Sequence, residues 1–303
     1  SLLHFSKCAL ALLTIISLNN KGLKICWTVH NNAPHENRFL LLNHLFFYWF
    51  ARLADRLTVM SAWQKKSFAE RYSLKSLKKI DIIPLGNFVD FYRTEWDRSE
   101  ARKRLGIPQD VFVYLSFGHV RKYKGLSKAI AAFKRMKSAA DCFIIAGPCS
   151  DSALKKELEV LADSSVLLRF EEIPAPEVAA YFKAADTCVF PFEETTNSAS
   201  LLLAMSMACP VIARKMGSPQ EMVKPNFGLL YDEGALEESM KEIKEKDLNA
   251  MRKAAFNEAN LYDWKTLAEK FLQVFQKVLH LLFVMINHMI RGLYVKYSNL
   301  LFT

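Results

Sequence analysis

Residues 111–125 read VFVYLSFGHVRKYKG, an apolar run with one serine, a glycine, and then His119, Arg121, Lys122 and Lys124 ahead of Gly125. The run 111–117 has the character of a buried strand, Gly118 permits a tight exit, and Gly125 opens an amphipathic stretch, LSKAIAAFKRM. A strand, a cationic loop and a helix start in that order make an anion site. Unpaired N–H groups and the positive end of the helix favour phosphate, and arginine and lysine add full charges. The competing reading is a solvated basic loop, and the remaining segments weigh against it.

In FPFEETTNSASLLLAMSMACPVIA (190–213), Thr196, Asn197 and Ser198 are N-cap types just before an apolar helix. They cap that helix, and the same N–H groups could hold a diphosphate. Glu193 and Glu194 stand at a strand end, where a carboxylate accepts hydrogen bonds from sugar or ribose hydroxyls or is simply solvated. In WTVHNNAPHE (27–36), His30 follows a buried-type strand, as an acceptor-orienting base or as a structural cap. In GSPQEMV (217–223), Glu221 sits in the first turn of a short helix, facing either the helix dipole or a sugar hydroxyl. His30 and His35 are five apart with Glu36 adjacent, but no further ligand pattern makes them a metal site.

The elements that must position these groups alternate along the chain. Strand-like runs at 23–29, 56–60, 79–83, 111–117, 142–146, 166–170, 187–190, 209–213 and 227–230 are separated by helix-like runs. Such alternation predicts α/β architecture with parallel sheets covered on both faces. The segment 84–98, PLGNFVDFYRTEWDR, breaks the rhythm and reads as a linker, so two Rossmann-like domains are expected to face each other across a cleft. The expected boundaries are 1–93 for a partial N-terminal domain, 94–260 for a C-terminal domain, and 261–303 for a closing helix and a hydrophobic tail. In open α/β sheets ligands bind beyond the carboxyl ends of the strands. His30, Ser61, Gly118, Gly147 and the run 191–194 all follow strands in that way.

A length of 303 residues suits two domains, and 51% hydrophobic residues supply their cores. The net charge of +10 fits nucleic acid, an anionic membrane surface or phosphorylated substrates. The basic residues are interspersed with acids, and no nucleic-acid-binding motif accompanies them, so nucleic acid is set aside. Six scattered cysteines without a CxxC pair read as reduced core residues of a cytoplasmic protein. The opening run LLHFSKCALALLTIISL reads as a helix leading into a strand rather than a membrane span, and the N-terminal domain as incomplete, its first strands missing.

The series GHVRKYKG, IIAG (144–147), AADTCVFPF (184–192), NSASLLLAMSMACPVIA and GSPQEMV resembles the nucleotide-sugar-binding domain of GT-B glycosyltransferases of the bacterial group 1 type. WTVHNNAPHE, DRLTVMSAWQKKSF (55–68) and IIPLGNFVDFY (82–92) are similar to acceptor-domain motifs of the same enzymes. The resemblance covers about residues 22–275. It implies a hexosyltransferase that moves sugar from a nucleoside-diphosphate donor, GDP-mannose or a UDP-hexose, to a saccharide or polyprenyl-linked acceptor in cell-surface polysaccharide synthesis.

The resemblance also assigns roles. Lys124 matches the donor-diphosphate lysine, and Arg121 is similar to a basic residue of that loop. Gly118, Asn197 and Ser198 complete the expected diphosphate site. Gly147, Glu193, Glu194 and Glu221 are expected around the sugar or nucleoside, and His30 matches the acceptor-domain histidine near the transferred sugar. No metal or other cofactor is implied.

His119 stands where the commoner family pattern has arginine. Thr195 and Leu203 stand where many retaining members carry two glutamates seven residues apart. No carboxylate can act from Leu203, which leaves Arg121 and Lys124 with more of the clamp. A non-catalytic nucleotide-sugar-binding module is the rival reading. A nicotinamide enzyme is disfavoured because no strand leads into GxGxxG. The hydrophobic stretch 279–303 and the positive charge make an anionic membrane surface a further candidate partner.

Overall fold

The computed structural model describes residues 2–33, 39–92 and 95–278, with side chains from residue 6 onward. The described chain divides into two compact units, one of residues up to Pro84 and from Lys265 on, the other Leu85–Trp264.

The first unit holds a three-stranded parallel sheet of β1 (Cys26–Thr28), β2 (Arg56–Val59) and β3 (Ile80–Ile82), in that order. Its core gathers Val29, Leu57, Val59, Phe68, Tyr72 and Ile80, with Trp27 stacked on Phe50 at 4.2 Å between centroids. A helix running from 264 through 278 lays Leu267 and Val274 against Ile83.

The second unit is a six-stranded parallel sheet of β4 (Phe112–Phe117), β5 (Asp141–Ala146), β6 (Val166–Arg169), β7 (Thr187–Phe190), β8 (Val211–Arg214) and β9 (Gly228–Tyr231). Their spatial order is β6-β5-β4-β7-β8-β9. Successive residues point to opposite faces, and both faces are buried. Val113, Leu115, Ile144, Cys188 and Val211 enter one core, while Tyr114, Phe143, Ile145, Val189 and Ile212 enter the other. That two-sided burial is why these strands read as unbroken apolar runs rather than alternating ones. The exception in the first run, Ser116, donates its hydroxyl to the Val189 carbonyl at 2.7 Å and so joins β4 to β7 without an unpaired polar group. Helices Arg98–Leu105, Ala175–Ala184, Ala199–Ser206 and Leu248–Asn260 cover the first face. Leu126–Met136, Ser152–Leu161 and Leu236–Glu242 cover the second.

The amino ends of the strands are tied by a buried ion cluster. Arg102, fully buried, donates to the carbonyls of Ala184, Gln109 and Val111 and to the Asp186 carboxylate at 2.9 Å. Asp186 also accepts the Val113 N–H at 2.8 Å and pairs with Arg98 at 2.6 Å.

Two expectations change. The boundary at 93/94 falls inside the second unit, because the segment after Pro84 is bonded into it. Asn87 N–H donates to the Tyr262 carbonyl at 2.9 Å, its amide to Ala259 at 3.0 Å, and Phe88 N–H to Ser206 Oγ at 3.0 Å. The expected boundary at 260/261 likewise moves to 264/265, since the Trp264 indole donates to the Asn87 carbonyl. Helix Leu248–Asn260 buries the stripe Met251–Ala255–Ala259, an apolar pattern masked in the sequence by its polar residues. Residues 35, 36 and 279–303 lie outside the described residues.

Candidate functional site

The strand order reverses between β4 and β7, so the loops leaving their carboxyl ends part to opposite faces and open a crevice, the usual ligand position in such sheets. The cationic loop leaves β4 and the 191–198 segment leaves β7 on that rim.

Gly118 leaves β4 with φ 99°, and its N–H donates to the Ala146 carbonyl at 2.8 Å. A Cβ on Gly147, at the end of β5, would lie 2.6 Å from the Gly118 oxygen, so two bare backbones are pressed together there. The loop then tightens into a 3₁₀ turn, Lys122–Lys124, closed by Gly125 in the left-handed region at φ 67°. Gly125 is required for a second reason: a Cβ there would lie 2.2 Å from the Pro191 carbonyl oxygen at the exit of β7. Glu193 N–H donates to the Tyr123 carbonyl at 2.8 Å, which joins the two loops.

This turn sorts the cationic residues. His119, Arg121 and Lys122 are exposed, whereas Lys124 is turned inward with 8% of its surface accessible. Its ammonium donates to the Phe117 carbonyl at 3.3 Å, and no carboxylate pairs with it among the described residues. Burial, and secondarily the Arg121 charge, push its pKa down to about 8. A buried cation without an anion is costly, and an oxyanion ligand relieves that cost.

The other wall is the start of helix Ala199–Ser206. Ser198 is the N-cap, its Oγ accepting the Leu201 N–H at 3.1 Å. Thr195 donates to the Asn197 carbonyl at 3.0 Å, and Ser218 N–H to the Thr196 carbonyl at 3.0 Å, so the turn after β8 supports this loop. Ser200, in the first turn of the helix, reaches back to β4: a Cβ on Gly118 would lie 2.9 Å from Ser200 Oγ and 3.3 Å from Lys124 Nζ.

The structure therefore brings Gly118, Lys124, Gly147 and the helix start at Ser198 together. Asn197 lies in the same supported loop. Arg121 is on the loop but exposed, Glu193 is ion-paired with Lys128 at 2.7 Å, and Glu194 is exposed. Glu221 lies on the short helix Pro219–Met222 that follows the supporting turn. His30 is exposed just after β1 in the first unit. Leu203 is packed in the core with 8% exposure, and Thr195 is buried with its hydroxyl turned to the backbone. Sequence reasoning missed Ser200; the available signal was its place two residues past a capping serine.

Among the described residues no group of three His, Cys, Asp or Glu side chains could hold a metal ion, and no helix is long and apolar enough to cross a membrane. Chemically, a fixed ammonium and a helix N-terminus aimed at one crevice stabilise negative charge that develops on a departing oxyanion.

Comparison with known proteins agrees with this fold. The family described as "Glycosyl transferases group 1" matches residues 97–260. D-inositol 3-phosphate glycosyltransferase 1 of Catenulispora acidiphila is 26% identical over 244 residues, covering 75% of this chain and 58% of that protein. GDP-mannose:glycolipid 4-beta-D-mannosyltransferase of Xanthomonas campestris pv. campestris is 25% identical over 234 residues, covering 75% of this chain and 61% of that protein. The chain thus spans about three fifths of the length of these relatives. HepE of Anabaena, solved in complex with UDP, superposes with a TM-score of 0.75 at 17% identity, over 88% of this chain and 76% of that one. Sucrose-phosphate synthase of Thermosynechococcus elongatus superposes at 0.71 with 21% identity, over 85% of this chain and 68% of that one. The structural likeness is one of fold, two Rossmann-like α/β domains of the GT-B type.

Proposed function

The chain belongs to the group 1 glycosyl transferases, and on that premise we propose that it transfers a hexose from a nucleoside-diphosphate sugar to a saccharide or lipid-linked acceptor. The carrying observation is Lys124, a buried ammonium with no acid partner among the described residues, set at the carboxyl end of β4 beside the start of helix Ala199–Ser206. Lys124, the bare backbone at Gly118 and Gly147, and the helix N-terminus hold the diphosphate. As the bond to the anomeric carbon lengthens, these fixed positive groups take up the charge that gathers on the leaving oxygen. Arg121 adds a second cation from the exposed side of the loop, and Asn197 and Ser198 contribute through the loop they form. Gly147, Glu193, Glu194 and Glu221 are assigned to the sugar and nucleoside, and His30 to orienting the acceptor hydroxyl.

GDP-mannose and UDP-hexoses are the donors favoured, since one relative is named for GDP-mannose and one structural neighbour holds UDP. Synthesis of a cell-surface polysaccharide at the cytoplasmic face of a membrane is the setting proposed. Its support is the net charge of +10 and two helices, Leu2–Asn20 and Leu40–Leu53, that carry no acidic residue and expose Leu10, Leu13, Leu41 and Trp49.

The test is a thermal-shift and calorimetric screen against GDP-mannose, UDP-glucose, UDP-galactose and the free diphosphates, followed by a transfer and hydrolysis assay. Stabilisation by one donor with turnover supports the reading. Affinity without turnover makes the chain a donor-binding module, consistent with the missing carboxylate at Leu203. No affinity for any donor overturns both. Flotation with anionic but not zwitterionic vesicles tests the membrane setting.

A further inference from the structure

Ser200 and Lys124 face the same small space from opposite walls of the crevice. The position that a side chain at 118 would occupy lies 2.9 Å from Ser200 Oγ and 3.3 Å from Lys124 Nζ. Yet no hydrogen bond joins Ser200 to Lys124 among the described residues, and the ammonium's acceptor there is the Phe117 carbonyl. A lysine ammonium carries three donors and a serine hydroxyl one. Two converging donor groups that do not bond each other leave room for a third atom that accepts from both. The absence of a side chain at Gly118 keeps that room open.

Ser200 is not spent on the helix. The capping bond is made by Ser198, whose Oγ accepts the Leu201 N–H, while Ser200 sits second in the helix with its hydroxyl turned toward β4. A hydroxyl in the first turn of a helix adds a donor to the N–H groups already unpaired there.

We propose that Ser200 is a donor-binding residue whose hydroxyl shares one non-bridging phosphate oxygen of the nucleoside diphosphate with Lys124. The inference rests on the donor-diphosphate reading above. It makes the clamp two-sided, one group from the β4 loop and one from the helix after β7. It also gives a reason for glycine at 118 beyond its φ of 99°.

The test is titration of the full chain with UDP and with GDP, in the wild type and in Ser200→Ala, Ser200→Thr and Ser198→Ala, with the Tm of each ligand-free variant. A hydrogen bond to a charged acceptor predicts that Ser200→Ala weakens diphosphate binding about tenfold or more without lowering the Tm. Ser200→Thr, which keeps the hydroxyl, retains binding. Ser198→Ala, which removes the cap, lowers the Tm. Unchanged binding in Ser200→Ala overturns the proposal, as does a Tm loss equal to that of Ser198→Ala, which would assign the effect to the helix. Failure of the wild type to bind either diphosphate would sink the donor reading itself, an outcome distinct from failure at Ser200 alone.

Discussion

Lys124 Nζ lies 3.3 Å from the carbonyl oxygen of Phe117, the last residue of β4, and among the described residues that carbonyl is its hydrogen-bond acceptor in place of any carboxylate. The contact is long and neutral, so it holds the side chain in position without neutralising it. No second hydrogen-bond acceptor meets that ammonium among the described residues. A site that keeps a buried charge uncompensated trades stability of the empty protein for affinity toward an anion.

Lys124→Met is therefore expected to abolish diphosphate binding, by about a hundredfold or more, while leaving the ligand-free protein equally or more stable. Calorimetric titration and thermal unfolding of the same preparation measure the two effects. A fall in Tm with binding preserved would contradict the assignment.

Binding should depend on pH through the same group. Its pKa, 10.5 ordinarily, is pushed down to about 8 by burial and then by Arg121. Below about pH 8 the ammonium is charged and binds the diphosphate; above it, affinity falls and binding takes up a proton. The sign for folding is opposite. The unfolded chain holds the proton between about pH 8 and 10.5 and the empty folded protein does not, so this group's contribution to stability rises with pH across that window. Titrations in buffers of differing ionisation enthalpy, with Lys124→Met as reference, separate the proton uptake from other pH effects.

Gly125→Ala should be more damaging than its size implies. The new Cβ would lie 2.2 Å from the Pro191 carbonyl oxygen, and the residue's φ of 67° is unfavourable for a side chain. Backbone cannot yield as a flexible side chain does, so a loss of about 2–4 kcal/mol is expected, with the 3₁₀ turn and Lys124 displaced. Urea unfolding gives the stability, and UDP or GDP titration reports the turn.

Asp186→Ala acts at the other end of the strands. It leaves Arg102, fully buried, without its anion and removes the acceptor of the Val113 N–H. Breaking a buried pair from one side costs about 3–5 kcal/mol. Chemical denaturation should show that loss, while diphosphate affinity measured on the folded fraction stays at the wild-type value.

The alternation of apolar runs with amphipathic ones was enough to read α/β units and parallel sheets, because strands buried on both faces leave a periodicity-free apolar signature. The place of the cationic loop between strand and helix was likewise legible, as was NSAS as a helix start, since capping and turn chemistry are local properties. The domain boundary was not. Pro84, Gly86 and Asn87 have linker composition, but Asn87 and Phe88 are held by Tyr262, Ala259 and Ser206, partners more than a hundred residues away.

Determined by the sequence alone, then, were the fold class, the family resemblance and the choice of the cationic loop as the candidate anion site. Tertiary structure decided which of its cations is buried. A short turn closed by Gly125 buries Lys124 and leaves Arg121 and Lys122 in solvent, a distinction that three basic residues in a row of four positions do not encode. It also decided that Ser200 stands opposite Gly118. Ser200 meets Gly118 because β4 and β7 are neighbours across the point where the strand order reverses, and such non-local adjacency is fixed by packing rather than by spacing along the chain.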